Sequence, residues 1–303
     1  MWAVKADGPR ATPSRRCRRA TLRFLPAGDL AVSVELGDEI SVEINTRVRA
    51  LEFLLQQKAL PGVVETVPSF RSLLVYYDPL VVGYAALCET LAELAAQAEH
   101  ASLPPARVVE LPCCYEDPEL GIDLVAAAER LGLPPAEVSR LHAGAEYLVY
   151  FIGFTPGLPY MSGMPERIML PRLETPRTKV PPGSVGIGGI QCCIYSVESP
   201  GGYWILGSTP VALYDPEASE PILLRPGDRV RFRPIDRREY EDIAAAVRAR
   251  SYRPVIQLPS GGRSWEPSFS ACWPHAGAPR HRLPGRCPAS DMSAARQDRT
   301  ARP

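Results

Sequence analysis

The segment between Pro171 and Pro181 carries the charged side chains best suited to bind an anion. Arg172, Arg177 and Lys179 lie between Pro171 and Pro181, and prolines fix the backbone, which lowers the entropy lost when these charges are ordered. Arg presents a planar fork that fits carboxylate or phosphate, and Lys presents a mobile point charge. The segment is predicted to bind an anion. The alternative is a solvated loop whose charges meet nearby acids such as Glu174.

A glycine-rich run, Gly183-Ser-Val-Gly-Ile-Gly-Gly189, is the second candidate, because successive backbone amides can cradle phosphates. It lacks the Gly-Lys-Ser/Thr ending of a Walker A loop, and it runs into strand residues rather than opening a helix. Ser184 also lacks the Gly-x-Ser-x-Gly spacing of a nucleophile elbow. We expect these glycines to allow tight turns and close strand contact, with a nonstandard nucleotide or substrate cradle as the alternative.

Other polar and aromatic residues near these segments are weaker candidates. His142 precedes the predicted barrel, although a lone histidine is more often a hydrogen-bonded structural residue than a catalytic one. The side chains that could line a pocket are Tyr160, Gln191, Tyr195 and Trp204, all of which are also common in cores or at their rims. No His/Cys/Asp cluster has zinc spacing, so no metal site is predicted.

Composition limits the class of protein. The 303 residues are 46% hydrophobic and have zero formal net charge, but residues 1–20 and 261–303 are basic, which leaves about nine negative charges on the remainder. An acidic body argues against nucleic-acid binding. No window reaches the ~18 apolar residues of a membrane span, and the amino terminus lacks the apolar core of a secretion signal. The eight cysteines include no C-x-x-C spacing and are interpreted as reduced cytosolic thiols.

The hydrophobic periodicity predicts an α+β protein with two folded domains. The order of strands and helices up to residue 112 is typical of a ferredoxin-like sandwich, with Asp78–Pro79 as the start of its second helix. Many short strands with Gly/Pro turns then indicate a barrel. The predicted segments are a basic disordered extension (1–20), a ferredoxin-like domain (21–112), a helical linker (113–145), a β-barrel domain (146–250) and a disordered Pro/Arg-rich tail (251–303).

The motifs of the second half closely resemble the allophanate hydrolase subunit 1 family, which includes the B-type subunit of bacterial 5-oxoprolinase and the kinase inhibitor KipI. The resemblance is carried by Leu141-His142, Tyr147, Gly153-Phe154-x-Pro156-Gly157-x-x-Tyr160, Pro171-Arg172, Thr175–Pro181, Gly183–Gly188, Gln191, Tyr195, Ser199–Gly202 and Gly207-x-Thr209-Pro210. Gly28-Asp29, Asn45, Val67-Pro68, Ser72–Val75 and Asp78-Pro79 extend it into the first half. It therefore covers about residues 21–245.

The resemblance implies a small α/β domain followed by a cyclophilin-like β-barrel, in a cytoplasmic protein. It implies a component of an ATP-dependent 5-oxoprolinase, in which phosphorylation of the lactam oxygen of 5-oxoproline allows water to open the ring to glutamate. The partners would be the C-type subunit, related to allophanate hydrolase subunit 2, and the LamB-like A-type subunit. ATP would be used with Mg²⁺. Alternatives are a KipI-type inhibitor of a histidine kinase and a protein related to urea or allophanate breakdown.

Such chemistry requires cations over phosphate and donors that hold the substrate carboxylate. We therefore assign Arg172, Arg177 and Lys179 to anion binding, and we predict that Arg177 and Lys179 are catalytic residues. Ser184 and Gln191 are predicted to orient the substrate, and Tyr160 and Tyr195 to line its site. His142 is the candidate proton carrier.

Overall fold

The computed structural model describes residues 22–258. The predicted basic extension, and the predicted tail beyond residue 258, lie outside these residues. The amino-terminal elements are β1 (Arg23–Pro26), β2 (Ala31–Glu35), α1 (Val42–Lys58), β3 (Val63–Pro68), β4 (Ser72–Tyr77) and α2 (Tyr84–Ala98). The four strands form an antiparallel sheet in the order β1-β2-β4-β3. Its core lies between the sheet and the two helices.

Local chemistry sets the ends of the helices. Ser41 caps α1, because its hydroxyl accepts a hydrogen bond from the Ile44 amide at 3.2 Å. The predicted start of α2 at Asp78 is wrong: the Asp78 carboxylate accepts the Leu80 amide at 2.9 Å and closes a turn, and α2 begins only at Tyr84. An Asp-Pro pair thus initiates a turn here rather than a helix.

The second half of the described chain is built around a barrel. Its strands are β5 (Val108–Cys114), β6 (Glu146–Ile152), β7 (Pro159–Ser162), β8 (Arg177–Val180), β9 (Ser184–Gly188), β10 (Gln191–Ile194), β11 (Ser199–Gly201), β12 (Trp204–Ser208), β13 (Arg229–Ile235) and β14 (Val255–Gln257). Its helices are α3 (Leu124–Leu131), α4 (Pro135–Ala143) and α5 (Arg237–Arg248). Strands β12-β9-β10-β7-β6-β13-β5 pair in sequence, and Ser208 opposite Cys114 closes the ring of seven. The predicted barrel is confirmed, within a mixed α/β fold.

The ferredoxin-like prediction for the first domain is not confirmed, because its expected last strand belongs to the barrel. Strand β5 runs parallel to β13 over seven residue pairs, and Val109, Leu111 and Cys113 face the barrel core. The predicted boundary at residue 112 therefore falls inside a strand. Strand β14, which lies in the predicted disordered tail, pairs with β5 outside the ring.

Residues alternate between the interior and the outside of the barrel, as expected for strands. On β10, Cys192 and Ile194 belong to the interior core, whereas Cys193 belongs to a separate apolar cluster with Tyr195, Tyr203 and Ile205 on the opposite face. The two-stranded ribbon β8-β11 contributes Val180 to that outer cluster. No helix between residues 22 and 258 is long and apolar enough to cross a membrane.

Candidate functional site

The candidate site is built on the outer face of β9, where glycine removes side chains from the barrel surface. A Cβ added at Gly188 would lie 2.9 Å from the Tyr203 ring and 3.0 Å from Cγ of Arg172. A Cβ at Gly186 would lie 2.9 Å from Tyr203 Cβ. The glycines therefore permit close approach of these two side chains, which is the role expected of them from the sequence.

Arg172, Gln191 and Tyr203 form one hydrogen-bonded group above these glycines. The Arg172 guanidinium donates to Gln191 Oε1 at 3.2 Å and to the Tyr203 hydroxyl at 2.9 Å, and its carbon lies 4.7 Å from the Tyr203 ring centroid. The Tyr203 hydroxyl donates to the same Gln191 oxygen at 2.7 Å. Since Oε1 receives both bonds, the Gln191 amide is oriented with its Nε2 donors directed away from the pair.

Two more predicted residues, Tyr160 and Tyr195, lie beside this group. Tyr160 stands opposite Cys193 on the neighbouring strand, and Tyr195 packs edge-on to Tyr203 with centroids 6.4 Å apart. Tyr195 is buried against the backbone of Gly201, where an added Cβ would lie 1.9 Å from its hydroxyl. We call Tyr160, Arg172, Gln191, Cys193, Tyr195 and Tyr203 the outer-face cluster.

The thiol and the phenols of the outer-face cluster are neutral near pH 7. Burial raises the pKa of the Cys193 thiol and of the three phenols, while the charge of Arg172 opposes that rise. The cluster therefore combines one cation with phenol and amide donors, and neither the thiol nor the phenols can act as a general base near neutral pH. Chemically, it can bind and polarise an anionic or carbonyl-bearing ligand.

Arg177 and Lys179 already have carboxylate partners. Arg177 Nη2 lies 2.5 Å from Asp123 Oδ1, and the other Asp123 oxygen accepts the Ile205 amide at 2.7 Å. Lys179 is exposed, and its ammonium lies 3.0 Å from Glu198 Oε1. By contrast, no carboxylate among the described residues lies within ion-pair distance of Arg172. Of the three predicted cations, Arg172 is thus the one left available for a ligand.

His142 lies in the barrel interior, on the opposite side of β10 from the outer-face cluster, contrary to its predicted role as a proton carrier. It is fully buried, with Nδ1 2.8 Å from the Tyr115 hydroxyl and Nε2 3.4 Å from Cys192 Sγ. The rings of Tyr147 and Phe232 lie 5.1 and 4.8 Å away. Burial lowers the pKa of His142 to about 3, because the imidazolium would have no compensating charge. A neutral, enclosed imidazole does not carry protons to a substrate.

The glycine run does not fit the alternative of a phosphate cradle. Ser184–Gly188 is strand β9, whose residues pair with β10 on one side and β12 on the other, so its backbone amides serve the sheet. Ser184 itself is 4% exposed, which leaves its hydroxyl inaccessible to a substrate. Between residues 22 and 258, no group of three or more His, Cys, Asp or Glu side chains could hold a metal ion.

A shallow depression elsewhere on the barrel is lined in part by the charged residues Glu110, Glu146, Arg231 and Arg233. These charges compensate one another, with Arg231 paired to Glu146 at 2.7 Å and Arg233 to Glu110 at 3.3 Å. The depression therefore lacks the uncompensated cation that distinguishes the outer-face cluster.

Sequence reasoning missed two residues that organise the site. Tyr203 follows the Gly201-Gly202 pair, and that glycine pair is its only local signal. The sequence predicts Asp123 only as part of a helix, because nothing in the local pattern connects it to Arg177, 54 positions later. Both residues act through contacts that are distant along the chain.

The described part of the chain thus combines a closed seven-stranded barrel with a cluster of one cation and several aromatic side chains on its outer face. Residues 22–224 match the family described as carboxyltransferase domain, subdomain C and D, and the chain belongs to this family. It is 39% identical over 227 residues to the B-type subunit of 5-oxoprolinase from Bacillus subtilis, covering 70% of this chain and 92% of the relative. It is also 39% identical over 208 residues to the corresponding 5-oxoprolinase subunit of Escherichia coli O157:H7, covering 68% of this chain and 93% of the relative. The resemblance identified from the motifs is confirmed.

Solved structures agree on the fold. The crystal structure of TTHA0988 is 37% identical with a TM-score of 0.60, covering 71% of this chain and 40% of that one. The crystal structure of the K. lactis urea amidolyase has a TM-score of 0.67 at 24% identity, covering 81% of this chain and 17% of that one. This chain thus spans less than half of either solved protein, and at 24% identity the second similarity concerns the fold alone.

Proposed function

We propose that this chain is the B-type subunit of an ATP-dependent 5-oxoprolinase and helps to open 5-oxoproline to glutamate together with partner subunits. The observation that carries the proposal is the relationship to the B-type subunits of 5-oxoprolinases, at 36–39% identity over 92–97% of their length. The working location is the cytoplasm. The partners are the C-type subunit and the LamB-like A-type subunit, as the family resemblance implies.

The chemistry of the outer-face cluster supports a substrate of this class. 5-Oxoproline has a carboxylate and a lactam carbonyl on one small ring. Arg172, which has no carboxylate partner within residues 22–258, would bind the carboxylate through charge-assisted hydrogen bonds. The Nε2 donors of Gln191 would reach the lactam oxygen, and Tyr160 would form one wall of the site. Tyr195, which the sequence predicts to line the site, is 2% exposed and packs against Tyr203 instead.

Partner subunits complete the reaction in this proposal. The outer-face cluster has no group that could activate water near pH 7, and β9 does not fit a phosphate cradle. We therefore assign the use of ATP, and any Mg²⁺ that accompanies it, to the partners or to their junction with this chain. The role of this chain is to hold and orient the lactam.

The test is 5-oxoproline-dependent ADP release by the chain co-expressed with its partner subunits. Arg172→Ala should lower kcat/KM for 5-oxoproline about 10- to 100-fold, because a hydrogen bond to a charged group contributes roughly 1.5–3 kcal/mol. Lys179→Ala is the matched control: it removes an exposed cation that pairs with Glu198, and activity should stay within about twofold, as expected for a surface pair.

The possible contrary results have different consequences. If the complete complex released no more ADP than the partners alone, the enzymatic role would be refuted. If, in addition, the chain bound the dimerisation domain of a histidine kinase, the KipI-type alternative would replace it. Equal losses in the two variants would instead refute the role of Arg172 alone.

A further inference from the structure

We propose that Phe70, in the turn between β3 and β4, is a positioning residue that holds Tyr160 in the outer-face cluster. Its ring packs edge-on against Phe151 and Tyr160, with centroids 4.7 and 5.9 Å away and interplanar angles of 90° and 76°. A third edge-on contact joins it to Tyr150 at 5.7 Å. A turn of the amino-terminal sheet thus contributes one of the aromatic rings that pack around the outer-face cluster. The consequence for substrate binding rests on the proposed function; the positioning itself does not.

The geometry explains why Tyr160 needs this support. Tyr160 stacks on Phe151 with centroids 4.6 Å apart and planes 17° from parallel. Offset-stacked and edge-to-face arrangements are both favoured between aromatic rings, so Phe70 adds edge-on contacts to a pair that is already stacked. Because the Phe70 ring is edge-on to both members of the stack, displacing Tyr160 along Phe151 would break a contact with Phe70.

The turn that carries Phe70 is itself fastened to the barrel. Asn45 is fully buried, and its Nδ2 donates to the Ser69 carbonyl at 3.1 Å and to the Tyr150 carbonyl at 3.4 Å. Within the turn, the Ser69 amide donates to the Ser72 carbonyl at 2.9 Å, and the two hydroxyls lie 2.9 Å apart. One amide therefore joins the turn to strand β6, which also carries the ring that stacks on Tyr160.

Tyr160 lies next to Arg172, the residue proposed to bind the substrate carboxylate. It is aligned with Cys193 across β7 and β10 and is close enough to Arg172 for that charge to lower the pKa of its hydroxyl against the effect of burial. Loss of Phe70 should therefore leave Arg172 in place while Tyr160 moves relative to it. The expected effect is weaker substrate binding with less change in turnover of the bound substrate.

The first test needs no substrate. In the purified full chain with ¹³C-labelled tyrosine, the Tyr160 ring signals are assigned by their loss in Tyr160→Phe. Loss of the Phe70 ring current alone shifts these signals, so the positioning is read from line widths and from the NOEs between the Tyr160 and Phe151 rings, whose centroids lie 4.6 Å apart. Phe70→Ala should broaden the signals and weaken these NOEs, and Phe70→Trp should largely restore both. Phe24→Ala is the matched control, because Phe24 packs on the amino-terminal core without any of the ring contacts that Phe70 makes to the site. It should destabilise the same domain and leave the Tyr160 signals unchanged.

The second test measures KM and kcat for 5-oxoproline in the assembled complex. Phe70→Ala should raise KM roughly tenfold with kcat within about twofold, Phe70→Trp should recover most of the loss, and Phe24→Ala should leave KM unchanged. Unaltered Tyr160 line widths and Tyr160–Phe151 NOEs in Phe70→Ala, or equal changes in Phe24→Ala, would overturn the positioning role. If the wild-type complex showed no turnover, the proposed function would fall, and the tyrosine signals would still decide the role of Phe70.

Discussion

The buried state of His142 predicts an acid-dependent loss of stability that can be calculated from its surroundings. The folded protein holds the imidazole neutral with a pKa of about 3, against 6.5 for an ordinary histidine. Below pH 6.5 the His142 imidazole binds a proton in the unfolded chain but not in the folded chain. The stability associated with the neutral imidazole is therefore complete above pH 6.5 and is lost progressively as the pH falls towards 3.

The magnitude follows from the size of the pH step. At pH 5.0 the pH is about 1.5 units below the pKa of a histidine in the unfolded chain. Each of these units changes the free energy of unfolding by about 1.36 kcal/mol. The contribution of His142 to the free energy of unfolding should fall by about 2 kcal/mol over this step. Replacing His142 by Gln, which does not titrate, should remove that change even if the variant is less stable at both pH values.

The assay is urea denaturation of wild type and His142→Gln at pH 7.5 and 5.0, followed by far-UV circular dichroism. The difference between their unfolding free energies should shrink by about 2 kcal/mol at the lower pH. His100→Gln is the matched control, since His100 is exposed, and it should follow wild type. The imidazole signals of His142 in NMR provide a second measurement and should not titrate above pH 4. A pH-independent difference, or titration near pH 6.5, would refute the enclosed, neutral state.

Two further predictions concern ionised groups that sequence reasoning did not single out. Burial raises the pKa of Glu52 to about 7, so its contribution to stability is present at low pH and is lost as the pH rises through 7. Glu52→Gln should exceed wild type in unfolding free energy by about 3 kcal/mol at pH 8, and this gap should narrow to about 1 kcal/mol at pH 5; a constant gap would contradict the raised pKa. Asp123→Ala should lower the unfolding free energy by about 3 kcal/mol, because it leaves the Arg177 guanidinium and the Ile205 amide without their acceptor. Glu198→Ala, at an exposed pair, should cost less than about 0.5 kcal/mol in the same chemical denaturation, and equal losses would show that the partly buried Asp123–Arg177 pair has no special role.

Local patterns were sufficient to predict the barrel. Short alternating segments separated by glycine and proline specify strands, and the motifs around Pro171–Pro181 and Gly183–Gly188 identify the family. The alternation also separates the two faces of β10, so that Gln191 and Cys193 must share one side while Cys192 takes the other. The strands, the family motifs and the two faces of β10 depend on residues that are close together in the chain, so they can be predicted without a structure.

The tertiary structure decided which strands pair and which charges are already neutralised. Strand β5 has a pattern that suits either domain, and only its seven pairs with β13 place it in the barrel. Arg172 and Arg177 have equivalent settings among prolines, but folding brings Asp123 to Arg177 and leaves Arg172 with Gln191 and Tyr203. The side chain that neutralises a charge comes from a distant part of the chain, and periodicity carries no information about it.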